Sequence, residues 1–518
     1  MPQSAEKTST SPPMNRIARA ASLVMSLFIV SRALGLIREM VIGARFGASA
    51  DLDAYLAAFR LPDLLFTLVA GGALASAFIP TFSERLAHKD TVGAWKLAAE
   101  VANLLLLGLV GLAVLTGLLA TPLVKHIIAP GFSPEQQTLT VHLMRWMLVS
   151  TVIFGMSGLV MGILNSFHHF LLPALAPVFY NLSIILAAYF LSPHMGIYAL
   201  VVGVVIGASL HLLVQAPGLI RQKARWHPAL SLHDAGVREV LRLMAPRVLG
   251  LAVVQINFIV NVFLASHLVE GSISALNYAW LIMLLPQGVF AQSIATAAFP
   301  TFSHQAALGE NAVMRHTLGR LFSILIFLTL PSAVLLILLR KPVVALLLQR
   351  GAFDARATEM TAFALGFFAL GLVGHALVEV SARSFYAMKD TRTPVIIGVT
   401  AMALNVLFSL ILIKPLAHGG LALANALATT LEMTALLWVL RKRLGGWEEK
   451  RVLSSLLRAS GAAALMGAMV YAAMQQHWAL SLPWQALLIG GAGAGVYLLV
   501  TFALRSPELA ALPRMLRR

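Results

Sequence analysis

The sequence predicts an all-α polytopic membrane protein of about fourteen transmembrane helices: two parallel-repeat six-helix bundles around a central cavity, plus two C-terminal helices. Three observations carry this expectation. Of the 518 residues, 59% are hydrophobic and only 11% are charged, at a mean hydropathy of +0.84, more apolar surface than a soluble fold can cover. Apolar segments of about 20 residues, the length that crosses a hydrocarbon core, follow one another along the chain, divided at Gly, Pro and charge clusters. Motifs of the first half return in the second at a nearly constant offset.

The expected spans are 22–44, 54–82, 94–121, 139–165, 172–192, 196–220, 240–268, 273–303, 317–339, 358–387, 394–413, 418–440, 453–475 and 484–505. Ahead of them, residues 1–20 are polar, with Ser, Thr and Pro and then Arg16 and Arg19, and read as a disordered cytoplasmic tail without a cleavable signal pattern. An even number of spans puts both termini on one side. Placing them inside leaves about 26 of the 38 basic residues in cytoplasmic segments, about 7 outside and about 5 within spans. The main contributors are 221–242, 441–451 and the C-terminal RMLRR at 514–518.

The repeat sets the domain organisation. FIPTFS at 78–83 returns as AFPTFS at 298–303, and Pro80/Pro300, Ser83/Ser303, Pro173/Pro394 and Asn181/Asn405 are each about 220 residues apart. About six spans fall within that offset, an even number, so equivalent helices keep their orientation and the halves are parallel repeats. The expected lobes are 21–225 and 226–445, followed at 446–518 by two extra helices and a basic cytoplasmic tail. The extra pair is a candidate groove for a lipid tail or a partner.

Composition also excludes function classes. The net charge of +17 lies in short loops beside apolar spans, which suits anionic lipid headgroups and not nucleic acid. There is no cysteine, so disulfides, thiolate metal sites and cysteine nucleophiles are excluded. No HExxH, Walker, GxSxG or dinucleotide-loop pattern occurs, and the chain is expected to be a transporter and not an enzyme.

Charges inside apolar segments mark the candidate sites, because an arginine at bilayer depth costs about 2.5–3.5 kcal/mol on insertion scales. Arg32 and Arg38 on the first span are candidate substrate contacts and imply an anionic cargo; Glu39, which shares the Arg32 face, is a candidate gating residue beside Asp53. Asp53, with Arg60 on its own face of the second span, is expected near the outer mouth, where a contact between Arg38 and Asp53 would act as a gate. Glu379 and Arg383, four residues apart, suit a local ion pair, and DTRTP at 390–394 reads as a tight cytoplasmic turn. Glu432, alone in LEMTALLWVL, is a candidate coupling carboxylate or a snorkelling side chain.

At this point the residues resemble a known family. SRALGLIRE (31–39), FGASADLDAYLAAFRLPDLL (46–65), GGALASAFIPTFSE (71–84), APGFSPE (129–135), LPALAPVFYN (172–181), LPQGVFAQSIATAAFPTFS (285–303) and SFYAMKDTRTP (384–394) are similar to the MurJ/MviN family. These are lipid II flippases of the MOP exporter superfamily, found in the bacterial cytoplasmic membrane. The resemblance implies an undecaprenyl-pyrophosphate cargo carrying the peptidoglycan precursor, moved from the inner to the outer leaflet by alternating access in cell-wall biogenesis. Guanidinium groups suit the gripping of phosphate oxygens. It also implies that Arg32 and Arg38 are the first-helix arginines, Asp53 the outer-gate aspartate and Arg60 a further basic contact. Anionic lipids and cell-wall synthesis proteins are implied partners, and membrane potential or a monovalent cation the coupling.

The sequence departs from the pattern where members carry further cavity charges: it has Phe66, Thr67 and Gly71 in the second span, and Trp280 and Leu281 in the eighth. Where some members bind sodium through carboxylates it offers Asn261 and Ser409, with Asn405 and Asn425 nearby, a weak cation set. The alternatives are a flippase for another polyprenyl-linked oligosaccharide, a multidrug or cation antiporter, and a non-transporting cell-wall scaffold.

Overall fold

Apolar runs without competing turn chemistry fold as helices because a bilayer leaves the backbone no other partner than itself. The computed structural model describes residues 14–69, 72–228, 230–231, 233–476 and 481–510. Its α-helices are, in order, α1 Met14–Phe46, α2 Ala50–Val69, α3 Gly72–Ala87, α4 Thr91–Leu118, α5 Ala120–Leu123, α6 Pro134–Ser166, α7 Leu171–Leu186, α8 Ser192–Met195, α9 Tyr198–Leu213 and α10 Ala216–Arg221. They continue as α11 Ala235–Ala265, α12 Ser272–Pro286, α13 Ser293–Ala307, α14 Asn311–Leu338, α15 Arg340–Leu348, α16 Ala355–Leu370, α17 Leu372–Ala387, α18 Arg392–Leu444, α19 Glu449–Met474 and α20 Leu482–Ala503. Gly71, most of the expected N-terminal tail and the basic 514–518 segment lie outside the described residues.

Among the described residues, nine helices are long and apolar enough to cross a membrane, and ten when the bent pair α16 and α17 is one span. The protein is a multi-pass membrane protein. α18 holds two of the expected spans in one 53-residue run, broken at Ala417 (φ 47°, ψ −131°) just after Pro415. There a methyl on Gly420 would stand 2.2 Å from the Leu412 carbonyl oxygen, so the chain doubles back only with glycine at that position.

The helices group into two compact units, 1–42 with 61–120 and 142–252, and 43–60 with 121–141 and 253–518. Residues 43–60 and 121–141, which precede the second repeat in sequence, thus belong to the unit that contains it. The first unit is cored by Phe78, Phe82, Trp95, Leu109 and Leu159, to which the start of α11 adds Val237 and Val240. α7 and α9 close on each other through glycines: a methyl on Gly203 would meet the Ile184 Cα at 3.0 Å, and one on Gly207 would meet the Tyr180 ring at 2.8 Å. The second unit packs Phe302, Phe322, Leu325 and Phe385 in one cluster. A further cluster holds α19 and α20 against α14, where the Tyr497 hydroxyl donates to the Phe327 carbonyl at 2.8 Å.

Polar loops are fixed by their own hydrogen bonds. In the DTRTP turn Asp390 accepts from the backbone N–H of Arg392 and Thr393, both at 3.0 Å, and pairs with Arg443. Burial alone would raise its pKa, but the Thr393 hydroxyl, these N–H groups and the Arg443 guanidinium outweigh burial and hold the carboxyl below its ordinary 3.8.

Two predictions follow from the packing and from this turn. Gly203→Leu should lower the unfolding midpoint in detergent, an overpacking cost of about 1–3 kcal/mol, whereas Gly111→Ala, with nothing within 4 Å, should leave it unchanged. Asp390→Asn should cost about 1 kcal/mol at pH 7, the size of a lost cap. Because the folded carboxyl titrates below its ordinary value, its stabilisation is full above pH 3.8 and fades as pH falls through the folded value. Denaturant unfolding of wild type and variant across that range should converge at the acid end.

Candidate substrate site and gate

In the first unit α1 and α7 build a charged cluster in otherwise apolar helices. Arg38 donates from Nη2 to Glu39 Oε1 at 2.6 Å, from Nε to the same oxygen at 3.1 Å, and from Nη1 to Asn181 Oδ1 at 3.1 Å. Asn181 is itself buried and anchored, its Nδ2 donating to the Pro177 carbonyl at 3.0 Å. That carbonyl lies on the α7 turn preceding Asn181, so the amide is oriented by its own helix before it meets the arginine. Glu39 therefore pairs with its neighbour Arg38 and not with Arg32, whose face it shares. Arg32 is exposed, and no hydrogen bond or ion pair reaches it among the described residues.

Tyr180 lies within electrostatic reach of Arg38, Glu39 and Asp63. Sequence reasoning missed Asp63, ten residues beyond Asp53 in the same apolar stretch, and used Asn181 only as a marker of the repeat. At Phe66 and Trp280, where the resemblance led to an expectation of charge, there are aromatic contacts instead. Phe66 packs on Phe154, with ring centroids 5.6 Å apart, and Trp280 sits edge-on to Phe368 and His375 at 5.3 and 5.4 Å.

The second unit contains the gate candidate. Asp53, 2% exposed, accepts from the backbone N–H of Gly271 at 2.7 Å, from that of Ser274 at 2.7 Å and from the Ser274 hydroxyl at 2.6 Å. Backbone N–H groups and a hydroxyl thus occupy the carboxylate where Arg38 was expected. The physical reason is that the first turn of a helix, here α12, leaves N–H donors unpaired and carries the positive end of its dipole, which attracts an anion.

Around Asp53 the backbones interlock. Gly47, Gly271 and Gly351 all have positive φ, and a methyl on them would fall 2.4 Å from the Ala352 oxygen, 2.4 Å from the Ala48 oxygen and 2.3 Å from the Ala44 oxygen. Ala352 N–H donates to the Ala44 carbonyl at 2.8 Å, and Gln136 Nε2 to the Ala50 carbonyl at 2.9 Å. Arg60, seven residues further along α2, lies 5.4 Å from the centre of the Phe258 ring.

The cation candidates are dispersed. Asn261 Nδ2 donates to the Asn257 carbonyl at 2.9 Å and to its Oδ1 at 3.1 Å, while Asn257 Nδ2 donates to Asn405 Oδ1 at 3.3 Å. The buried Asn405 Nδ2 and Ser409 Oγ have no partner, but a buried N–H is the wrong polarity for a cation. Asn425 lies elsewhere, against His375. Among the described residues no three His, Asp or Glu converge as metal ligands. These neutral amides bring no carboxylate together. Glu379 and Arg383 form the expected pair, at 2.8 Å.

The family profile described as lipid II flippase MurJ matches residues 42–485. The lipid II flippase MurJ of Burkholderia cenocepacia is 32% identical over 433 residues, 82% of this chain and 84% of its own length. A probable lipid II flippase MurJ of Rhizobium meliloti is 31% identical over 514 residues, 94% of both chains. Among solved structures, a lipid II flippase MurJ in an inward closed conformation superposes with a TM-score of 0.80 at 28% identity, covering 93% of this chain and 99% of that one. An inward-facing multidrug resistance MATE transporter of the MOP superfamily, at TM-score 0.69 and 15% identity over 83% of this chain and 99% of its own, shares the fold. Charged groups held deep in apolar helices, a helix-capped aspartate at a glycine-tight layer and a match over most of the length agree: the chain belongs to the lipid II flippase MurJ family.

Proposed function

We propose that this chain translocates lipid II, an undecaprenyl-pyrophosphate carrying the peptidoglycan precursor, from the inner to the outer leaflet by alternating access. The observation that carries the reading is the pair of first-helix arginines in two different states. Arg32 is open, and Arg38 is held by Glu39 and Asn181. A pyrophosphate arriving at Arg32 can displace the Glu39 carboxylate from Arg38, exchanging one anion for another while Asn181 keeps the guanidinium aimed. Each charge-assisted bond to phosphate contributes about 1.5–3 kcal/mol, which offsets part of the headgroup's desolvation. The polyprenyl tail is hydrocarbon and needs no such help; it is left to the bilayer, or to the apolar furrow that Val334, Gly467 and Tyr471 line between α14 and α19.

Asp53 is the latch on this reading. With the N-terminus cytoplasmic, as the distribution of basic residues supports, the interlocked segments 44–53, 266–274 and 350–354 lie at the outer face. Release of the headgroup then requires that Asp53 leave the start of α12. The basic segments 221–242 and 441–451 face anionic lipid at the cytoplasmic surface. Cell-wall synthesis proteins that use the exported precursor are the expected protein partners.

In bacteria depleted of their own flippase, expression of this chain should restore lipid II to the outer leaflet, read by a lipid II-cleaving toxin added outside. Arg38→Ala at matched expression should reduce exposure at least about tenfold, one lost charge-assisted bond, and Asn181→Ala by a smaller factor. No exposure with the correctly inserted wild-type chain would refute the lipid II assignment. Asp53→Asn exchanges an accepting oxygen for a donor facing N–H groups, and should shift the latch by about 2–3 kcal/mol towards open. In this cysteine-free chain, thiol labelling of Ala48→Cys should then speed up by one to two orders of magnitude; unchanged labelling would remove Asp53 from the gate.

A further inference from the structure

Polar side chains recur at helical spacing on two facing elements of the second unit. On α17, His375, Glu379 and Arg383 follow at four-residue steps, with Tyr386 three further on. On the second arm of α18 stand Asn425, Thr429 and Glu432, again one face of a helix. The stripes meet: His375 Nε2 lies 3.1 Å from Asn425 Oδ1 and 3.3 Å from Thr429 Oγ1, and Tyr386 is within electrostatic reach of both Glu379 and Glu432. Arg383 bridges them to α13, donating to Glu379 Oε1 at 2.8 Å and to Thr296 Oγ1 at 2.6 Å. From 375 to 386 the stripe follows about 16 Å of helix, half the thickness of a hydrocarbon core.

Interhelical bonding explains Asn425 and Thr429, since such contacts are worth about 0.6 kcal/mol each in membranes. It does not explain Glu432. No hydrogen bond or ion pair reaches its carboxylate among the described residues, and across from it the first arm of α18 presents Gly398, where a methyl would stand 3.5 Å from Glu432 Oε1. Nor does it explain His375. With Asn425 Oδ1 able only to accept, Nε2 carries the ring hydrogen and Nδ1 is left as an open base, with no donor to it among the described residues. Histidine and carboxylates in line inside a membrane bundle are the ingredients of a proton relay.

We propose that this stripe is a proton path and that His375 Nδ1 binds the one proton exchanged in each transport cycle. The proton passes from water by the Glu432 and Glu379 carboxylates to Nδ1, an N–H bond forms, and the imidazolium keeps its Nε2–H bond to Asn425. The same N–H bond breaks when the proton leaves on the other side. Glu379, one turn along α17 and shared with Arg383, is the counter-charge. Of the other elements packed on α17, α12 and α13 bring Trp280 and Thr296, α14 brings Phe322 and Leu325, and the end of α18 brings the Arg443 guanidinium over the Phe385 ring; the other titratable or charged side chains of α12, α13 and α14 are Tyr278, His304, Arg315, His316 and Arg320.

The fold supplies a means of coupling. α16 and α17 are bent by 48° at Gly371, one turn before His375, whose N–H donates to the Gly371 carbonyl at 2.9 Å. There a methyl on Gly371 would stand 2.9 Å from Ala426 Cα, the residue after Asn425. Charge on His375 therefore arises where the bent span rests on α18.

The proposal rests on the flippase reading, and two measurements keep them separable. In nanodiscs, the full chain with ¹⁵N-labelled histidine, its His375 signal assigned by His375→Gln, should show an Nε2–H tautomer that gains a second proton as the pH is lowered when lipid II is present. A ring that stays neutral throughout overturns the proposal. In proteoliposomes clamped at zero membrane potential, lipid II transfer should change with an imposed pH gradient, up to about tenfold per unit, the limit for one coupled proton. His375→Gln, which keeps an amide donor for Asn425 but cannot titrate, should abolish that dependence. Wild-type transfer indifferent to the gradient, or a His375→Gln protein that still responds, overturns the proposal and leaves the flippase intact. Absence of lipid II transfer under every gradient and potential refutes the flippase reading, and the proton coupling with it.

Discussion

A buried carboxylate seated on the first turn of a helix is the constraint around which the second unit is arranged. Asp53 is 2% exposed and is satisfied by two backbone N–H groups and one hydroxyl, donors that the start of α12 offers because its own ladder has not begun. Breaking this contact leaves a charge uncompensated in an apolar surround, which costs several kcal/mol, whereas exchanging it for water costs little. Such an interaction holds firmly when dry and releases when wetted, which is the behaviour a latch requires. The glycines at 47, 271 and 351 exist to bring the backbones near enough for it to form.

The repeat shows how one scaffold came to hold two chemistries. Asn181 and Asn405, equivalent by the offset, are both buried, and each binds the helix that opens its own half. In the first half the partner is Arg38, and in the second it is Asn257, 219 residues on. The duplicated amide holds the same place in each half and accepts from a guanidinium in the first and from a neutral amide in the second. The first half is thus equipped to receive an anion. In the second half charged and titratable groups stand on α17 and α18, at His375, Glu379 and Glu432.

Much of this was legible in the sequence. Hydropathy identified the class, and the local i,i+4 rule foresaw the pair of Glu379 and Arg383, because both depend only on near neighbours. The double span within α18 was foreseen as two segments, although Ala417, a non-glycine residue with positive φ, marks the break in a way no propensity would suggest. Long-range partners were not legible. Asp53 was matched to Arg38 by charge, but its actual donors are backbone N–H groups, which every residue carries and which leave no trace in composition. Nothing in the sequence links His375 to Asn425, and only the packing of α17 on α18 makes them a pair. The pairing of Glu39 with Arg38 was not legible either, since a shared helix face says nothing of a flexible guanidinium on the adjacent residue.

The central claim is that the layer held by Asp53 must open in each cycle. The cysteine-free chain permits a direct test, with cysteines at Ala44 and Ala352, whose backbones are joined by a 2.8 Å hydrogen bond. Lipid II transfer by the purified double variant in proteoliposomes should stop when the pair is oxidised and return when it is reduced. Transfer that continues at the reduced-protein rate with the disulfide fully formed would contradict the account.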